Sequence, residues 1–405
     1  MNAPAAAPRV PPQLWWWVVA SALLLALRKP WALHTPQFWA EDGSIFMVQD
    51  GQLGLAAFLT PYNGYLHLLP RLVAWLASHT VDVAWWPAVY NGFAYAAHVA
   101  VCARLLSPRV RLPAKPGLML ALVVLPGSGE VLINLTNLQW IAAFLLVLQL
   151  FTEPPARSWA RLGDLTILAA VALSGPFGLV LAPLYAVRAW RDRHPQAWVD
   201  CGVLAACALV QGVLLFRAGT SINSVSAPFF PRMLLSMLGS RLVVWTCFGP
   251  PAVYALPSWA HAAIGTVFLT ALAGWALRPD PRRPVRAMLV ATFALASAAC
   301  MYRVRADTWP AENLAVADRY FFLPRVLVVW LVVLECQATN PVVARLARLL
   351  CLSGALLHLP HYVLPAPPDY QWARHCDPIR RGVPADILTL PEGWWIEYPG
   401  RPGRS

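Results

Sequence analysis

The chain has 405 residues, of which 59% are hydrophobic and 12% charged, and its mean hydropathy is +0.54. Soluble domains carry about 25% charged residues, so this composition excludes an ordinary water-soluble enzyme and indicates a polytopic membrane protein. The formal charge is +12. The arginines nevertheless sit in short clusters between apolar runs, where the positive-inside bias puts them, and nucleic-acid binding is not expected.

The first apolar segment, about 14 to 30, follows Arg9 and precedes Arg28 and Lys29 with no A-x-A cleavage pattern, so it reads as an uncleaved first helix. An acidic loop follows, about 31 to 82. Its 42–60 portion is too polar to span and reads as interfacial helix and turn, and 65–79 reads as a surface helix or the first part of the next span. A span at about 83–106 ends in Arg104, Arg109, Arg111 and Lys115, which places that loop in the cytoplasm. Residues 117–152 hold two short apolar runs around a polar corner at 127–137, and 163–190 hold two more around Ser174, Gly175 and Pro176. Each run falls short of the roughly 20 residues of a full span, which protein or a water-filled cavity around the ends would permit.

Further spans are expected near 197–216, 256–277, 286–302, 321–336 and 343–360, with 232–248 read as re-entrant or interfacial. The expected fold is all-α: about eleven transmembrane helices in 1–360, interfacial helices in the first outer loop, and a short outer tail at 361–405. The N-terminus is expected inside and the tail outside. In that arrangement the short cytoplasmic loops carry 15 of the 31 basic residues. The eight cysteines show no CxxC or Cys/His zinc spacing and read as packing residues rather than a disulfide framework. No nucleotide-binding or hydrolase motif occurs.

Candidate chemistry concentrates in polar groups beside the apolar segments. Glu41 and Asp42 are neighbouring carboxylates in a chain with 19 acidic residues, a costly placement unless water, a cation or a substrate solvates them. They point in different directions on a helix or a strand. One is expected to bind a divalent cation (Mg2+ or Mn2+), and the other to accept a proton from an incoming hydroxyl. The bland alternative makes Asp42 a helix N-cap. His67 and Arg71 share a face if helical and suit a sugar or a phosphate, although a snorkelling arginine explains Arg71 equally well. Tyr62, Asn63, Gly64 and Tyr65 form a tight turn with amphipathic aromatics that suits a carbohydrate-binding rim. Glu130, Asn134, Asn137 and Gln139 suggest a wet cavity, with helix capping as the alternative. On the outer side, Arg303, Arg305, Arg319 and Tyr320 are placed to hold a lipid-linked phosphate, against the simpler reading of an Asp318–Arg319 ion pair at a helix start.

A first helix, an outer loop with an acidic pair and surface-lying helices, and then many spans with short outer turns resembles the GT-C superfamily of membrane glycosyltransferases. The blocks AEDGSIF, PYNGYLHLLPR, NLQW, SGPFGLVLAP and DRYFFLP are similar to those of a bacterial family of polytopic membrane proteins often considered GT-C-like. The resemblance implies a polyprenyl-phosphate-linked sugar donor and an active site on the outer face of the bacterial inner membrane. It also implies inverting transfer to an acceptor hydroxyl, with Asp42, in preference to Glu41, as base or cation ligand. The arginine assignments come from position alone. The tail, at about 45 residues, is too short for the large soluble C-terminal domain of better-known members. A transporter or flippase of lipid-linked sugars is the alternative; it would place ionisable residues at mid-span, whereas here they fall near segment ends.

Overall fold

The computed structural model describes residues 12–127, 129–219, 231–304, 314 and 317–400. Helix α1 (Pro12–Arg28) leads into a loop region containing α2 (Trp31–His34), a π-helical turn (Asp42–Met47), α3 (Val48–Leu53), a 3-10 turn (Gly54–Leu59) and α4 (Leu68–Thr80). The bundle continues with α5 (Trp86–Leu106), α6 (Lys115–Val124), α7 (Leu138–Gln149), α8 (Ser158–Ala172), α9 (Phe177–Asp192) and α10 (Pro195–Arg217). After α11 (Pro231–Met237), a π turn and α12 (Trp245–Ala255) come α13 (Ser258–Leu277), α14 (Arg283–Arg303), α15 (Arg319–Glu335) and α16 (Pro341–His358).

Among the described residues, five helical stretches are long and apolar enough to cross a bilayer: Pro195–Arg217, Pro231–Ala255, Ser258–Leu277, Arg283–Arg303 and Pro341–His361. Their outer faces carry large apolar side chains such as Leu209, Phe216, Val267 and Leu356, each at least 60% exposed, as a lipid-facing surface requires. The short helices are the buried ones. In α7 only Gln139 and Leu145 escape full burial, the signature of a helix apolar on every side and surrounded by protein.

Contacts sort the connections between helices into two ends. At one end, Arg109 Nε donates to Glu153 O at 2.9 Å, Arg188 Nη2 donates to Thr152 O at 2.7 Å, and Glu335 accepts from Arg286 Nη1 at 2.9 Å. Buried pairs such as Arg188–Asp200 at 3.3 Å belong to this arginine-rich end as well. The opposite, loop-rich end gathers residues 31–67, the 125–137 corner, the 173–176 turn and the start of α15. Leu68 N donates to Leu173 O at 3.1 Å, Thr136 N donates to Asp42 Oδ1 at 2.7 Å, and Arg319 pairs with Glu130. Arg28 and Lys29 are buried here. The Arg28 guanidinium donates to Val123 O at 3.1 Å and Gly127 O at 2.8 Å, and Lys29 Nζ to Leu132 O at 2.6 Å. Together they satisfy carbonyls left free at the end of α6 and in the loop beyond it.

Two elements differ from the expectation in extent or class. Residues 232–248 are the first part of a longer helical element that runs on to Ala255, kinked at Gly249 where φ is 82° and Pro250 and Pro251 follow. It packs antiparallel on α13 with backbones in contact, Gly239 facing His261 and Gly265 facing Leu235. The tail also departs from an all-α fold. After α17 (Cys376–Arg381) it forms an antiparallel hairpin, β1 (Ala385–Thr389) and β2 (Trp394–Tyr398), with Ile387 opposite Ile396. The isoleucines and aromatics favour pleated backbone, and Gly393 at φ 88° permits the turn. The hairpin caps the acidic loop: Trp39 bridges to Leu390, and Ile396 packs over Gly43 and Phe38.

Candidate functional site

At the loop-rich end a cavity of about 310 Å³ opens among the acidic loop, the start of α7, the start of α9 and the facing ends of α14 and α15. Glu41, Tyr65, His67, Arg303, Arg319 and Tyr320 line it, six expected residues drawn from positions as far apart as 41 and 320. The larger groove of about 640 Å³ between α5, α7 and α8 is almost wholly apolar, and its charged groups Arg104 and Asp164 already pair at 3.1 Å. The smaller cavity therefore holds the unspent polar chemistry.

The two neighbouring acids face opposite ways. Asp42 is fully buried behind the cavity wall, where Thr136 N and Thr136 Oγ1 each donate to Oδ1 at 2.7 Å, and Leu135 N and Trp39 N donate to Oδ2 at 3.4 Å. Burial raises its pKa to about 7, with the Thr136, Trp39 and Leu135 donors opposing the rise. Asp42 thus ties the acidic loop to the 135–136 corner, and is neither a free base nor an N-cap. Glu41 faces the cavity, where its Oε1 accepts from Tyr62 Oη at 3.0 Å. Of the two, Glu41 and not Asp42 lines the cavity.

The turn that brings Tyr62 and Tyr65 to the site is closed by reciprocal backbone bonds between them, 3.0 and 3.2 Å, around Asn63 and Gly64 with φ of 52° and 87°. Positive φ at both central residues is the hairpin-turn geometry that Asn-Gly favours. Tyr65 stacks on His67 with ring centroids 4.7 Å apart, and the rings of Phe46 and Tyr62 flank the imidazole. Burial, with Arg71 nearby, lowers the pKa of His67 to about 3, so the imidazole is neutral at physiological pH.

Arg71, Glu130 and Asn134 do not line the cavity. Arg71 is buried over the Phe46 ring and donates to Gln49 Oε1 at 2.8 Å. Asn134 closes the polar corner, donating to Glu130 O at 2.8 Å and accepting from Asn137 N at 2.9 Å. Glu130 acts through Arg319, which it pairs with and which also lies over the Tyr320 ring. Asp318 pairs with Arg325 at 2.5 Å instead of with Arg319. Arg303 makes no ion pair among the described residues and reaches the cavity from the end of α14. Arg305 lies outside the described residues.

Gln139, Trp140, Phe177 and Tyr302 also line the cavity; of these the sequence marks out Gln139 alone, as one of a polar group. The signal was in the NLQW block, a polar and aromatic start to an otherwise apolar helix. A divalent cation on the acidic pair does not fit. Both Asp42 oxygens are spent on donors from residues 39, 135 and 136, and among the described residues no three His, Cys, Asp or Glu side chains gather to hold a metal.

No family model, curated protein or solved structure matches the chain. What converges in the cavity is one carboxylate, one guanidinium paired with Glu130, a second that makes no ion pair among the described residues, and a wall of aromatic rings. On the side towards α10 and α14 the wall is aliphatic, from Leu179, Val180, Leu215 and Ala299.

Proposed function

We propose that the protein is a membrane glycosyltransferase that moves a sugar from a polyprenyl-phosphate carrier to an acceptor hydroxyl. The observation that carries this reading is the meeting of Glu41, Arg303 and Arg319 in one cavity whose remaining walls are aromatic and aliphatic. Such a cavity matches a ligand with an anionic phosphodiester, a sugar and a hydrocarbon chain. A guanidinium pairs with phosphate oxygens through directed N–H bonds. The aliphatic side between α9, α10 and α14 takes the chain from the lipid.

In this reading Glu41 is the general base. Its carboxylate accepts the proton of the acceptor hydroxyl as the hydroxyl oxygen attacks the anomeric carbon. The bond from that carbon to the phosphate oxygen breaks with inversion, and the electron pair stays on the departing polyprenyl phosphate. Arg303 and Arg319 stabilise the charge that develops there, an electrostatic contribution of pre-positioned donors. Glu130 and Tyr320 fix the Arg319 guanidinium. These steps use the chain's own side chains, with Glu41 as the carboxylate on the cavity wall.

The reading includes eleven crossings, by α1, α5 to α10 and α13 to α16, with the loop-rich end on the outer face of a bacterial plasma membrane. Alternation of helix ends between the two groups of connections supports it, as do the arginines gathered at the other end. In this arrangement the 231–255 element adds no crossing and ends on the outer side, where α13 begins.

The test is turnover of a panel of polyprenyl-phospho-sugars in nanodiscs, read by mass spectrometry as released polyprenyl phosphate and glycosylated acceptor. Arg303→Gln is expected to raise KM and lower kcat/KM by about 10²-fold or more, as loss of a charge-assisted contact predicts. Carrier translocation by the wild type without any cleavage would replace transfer with transport.

A further inference from the structure

The apolar groove over α7 has a shape and a charge that sugar transfer does not use. Helices α5 and α8 both pack on α7 and leave the groove of about 640 Å³ between them, floored by Ala142, Leu145 and Leu146 and walled by Ala100, Ile167 and Val171. At the loop-rich end α4 packs across α5 and α8, and Leu69 closes the groove. Its flank is open: Ile167 is 50% exposed, and Ala96 and Ala100 are exposed beside it. In a bundle that spans a bilayer this flank meets hydrocarbon. At the 1.5 Å rise of a helix the floor from Leu138 to Gln149 is about 16 Å long, half of a hydrocarbon core of about 30 Å, so the groove matches a chain from one leaflet.

The end of the groove away from Leu69 is cationic. Arg104 Nη2 lies 3.1 Å from Asp164 Oδ1 and donates to Gln149 Oε1 at 2.8 Å, and all three residues line the groove. Arg109 shares the same carboxylate, its Nη1 donating to Asp164 Oδ1 at 3.4 Å. Lys115 Nζ donates at 2.6 Å to the carbonyl of Ser107, another lining residue, and pairs with no carboxylate among the described residues. The neighbouring charges are already matched: Arg111 pairs with Glu153 at 2.6 Å, and Asp200, which accepts from Gln149, is held by Arg161 and Arg188. Three cations therefore share one carboxylate at the mouth. The Arg104 and Arg109 side chains are 21% and 23% exposed, which leaves an anion room to approach.

We propose that the groove binds an anionic glycerophospholipid, with one acyl chain lying along α7 between α5 and α8 and the headgroup phosphate seated on Arg104, Arg109 and Lys115. The chain covers Leu145, one of the two α7 residues that protein leaves incompletely buried. The phosphate compensates the excess positive charge at the mouth, whereas a zwitterionic headgroup brings an ammonium of its own to the same cluster. The site requires only that the bundle lies in a bilayer, so it is independent of sugar transfer.

The experiment is native mass spectrometry of the full chain released at rising collision energy from nanodiscs of equal phosphatidylglycerol and phosphatidylethanolamine. Wild type is expected to keep one lipid after the others are stripped, with phosphatidylglycerol favoured by about tenfold or more. Ala100→Phe puts a ring into the groove from an exposed position and is expected to lose the retained lipid, while Ala206→Phe, on an exposed position of α10 outside the groove, keeps it. Lys115→Gln removes one cation and preserves a donor to the Ser107 carbonyl, so it is expected to keep a lipid and to lower the preference for phosphatidylglycerol several-fold. Unfolding midpoints within a few degrees of wild type establish that the variants are folded.

Retention of the same lipid by Ala100→Phe, equal retention of the two lipids by wild type, an unchanged preference in Lys115→Gln, or no lipid surviving on wild type overturns the site. A stable dimer without bound lipid would assign the groove to a second copy of the chain and overturn it in the same way. The readout involves no sugar, so neither result depends on the transferase reading.

Discussion

Glu41 and Asp42 are adjacent in the chain and opposite in role, and each carries its own prediction. Asp42→Asn puts an amide against the Thr136 N–H and hydroxyl, so it is expected to cost about 1–3 kcal/mol and lower the unfolding midpoint, with kcat reduced far less than by a change at Glu41. His67 gives a pH signature. Its folded pKa is depressed to about 3 from the 6.5 of a free imidazole, so the unfolded chain takes up a proton that the folded one refuses. Its contribution to stability is complete above about pH 6.5 and is lost as pH falls towards 3, at up to about 1.4 kcal/mol per pH unit. Asp42, raised to about 7 by burial, contributes a slope of opposite sign over the same window, so the signature is a difference: in thermal unfolding in detergent between pH 7 and 4, His67→Gln should lose less stability on acidification than wild type does. An equal slope in the variant would assign the effect to other groups. The sequence made both acids and His67 visible because polar residues beside apolar runs demand an explanation. It left open which acid faces the cavity, since that depends on a corner 94 residues away whose N–H groups capture Asp42.

At the scale of elements, the bundle depends on close backbone approaches and on the tail. Gly239 and Gly265 let the 231–255 element and α13 touch backbone to backbone. Gly265→Val would drive a branched side chain into the Leu235 carbonyl, so a loss of more than about 1–3 kcal/mol, or failure to accumulate as folded protein, is expected from unfolding or fluorescence-detected size exclusion. Wild-type stability in that variant would contradict the packing. The β1–β2 hairpin supports the site from the other side. Ile396 is fully buried over Gly43, two residues from Glu41. Ile396→Ala is expected to cost about 2–5 kcal/mol and to lower turnover by loosening the acidic loop, which stability and kinetics measured together would establish. Helix positions were legible from apolar run length and basic clusters. The hairpin was not: its five-residue strands lie in a Pro- and Trp-rich tail, and their buried side chains find partners only in the loop beginning at Phe38, more than 340 residues earlier.

For the whole molecule, the sorting of connections into a loop-rich and an arginine-rich end becomes a statement about the membrane once sidedness is measured. In a chain lacking its eight native cysteines, Pro61→Cys at the loop-rich end is expected to react with an impermeant maleimide on intact cells. Pro154→Cys, at the other end, is expected to react only after permeabilisation; the reverse pattern would put the cavity in the cytoplasm. The most direct test of the account compares wild type, Glu41→Gln and Asp42→Asn, each folded in nanodiscs and supplied with a polyprenyl-phospho-hexose and an acceptor. Sugar transfer and carrier release are followed by mass spectrometry. The account predicts that Glu41→Gln lowers kcat by about 10²–10⁴-fold, as loss of a general base does, while Asp42→Asn keeps most of its turnover at a lower unfolding midpoint. Undiminished transfer by Glu41→Gln, or loss confined to Asp42→Asn, would contradict it.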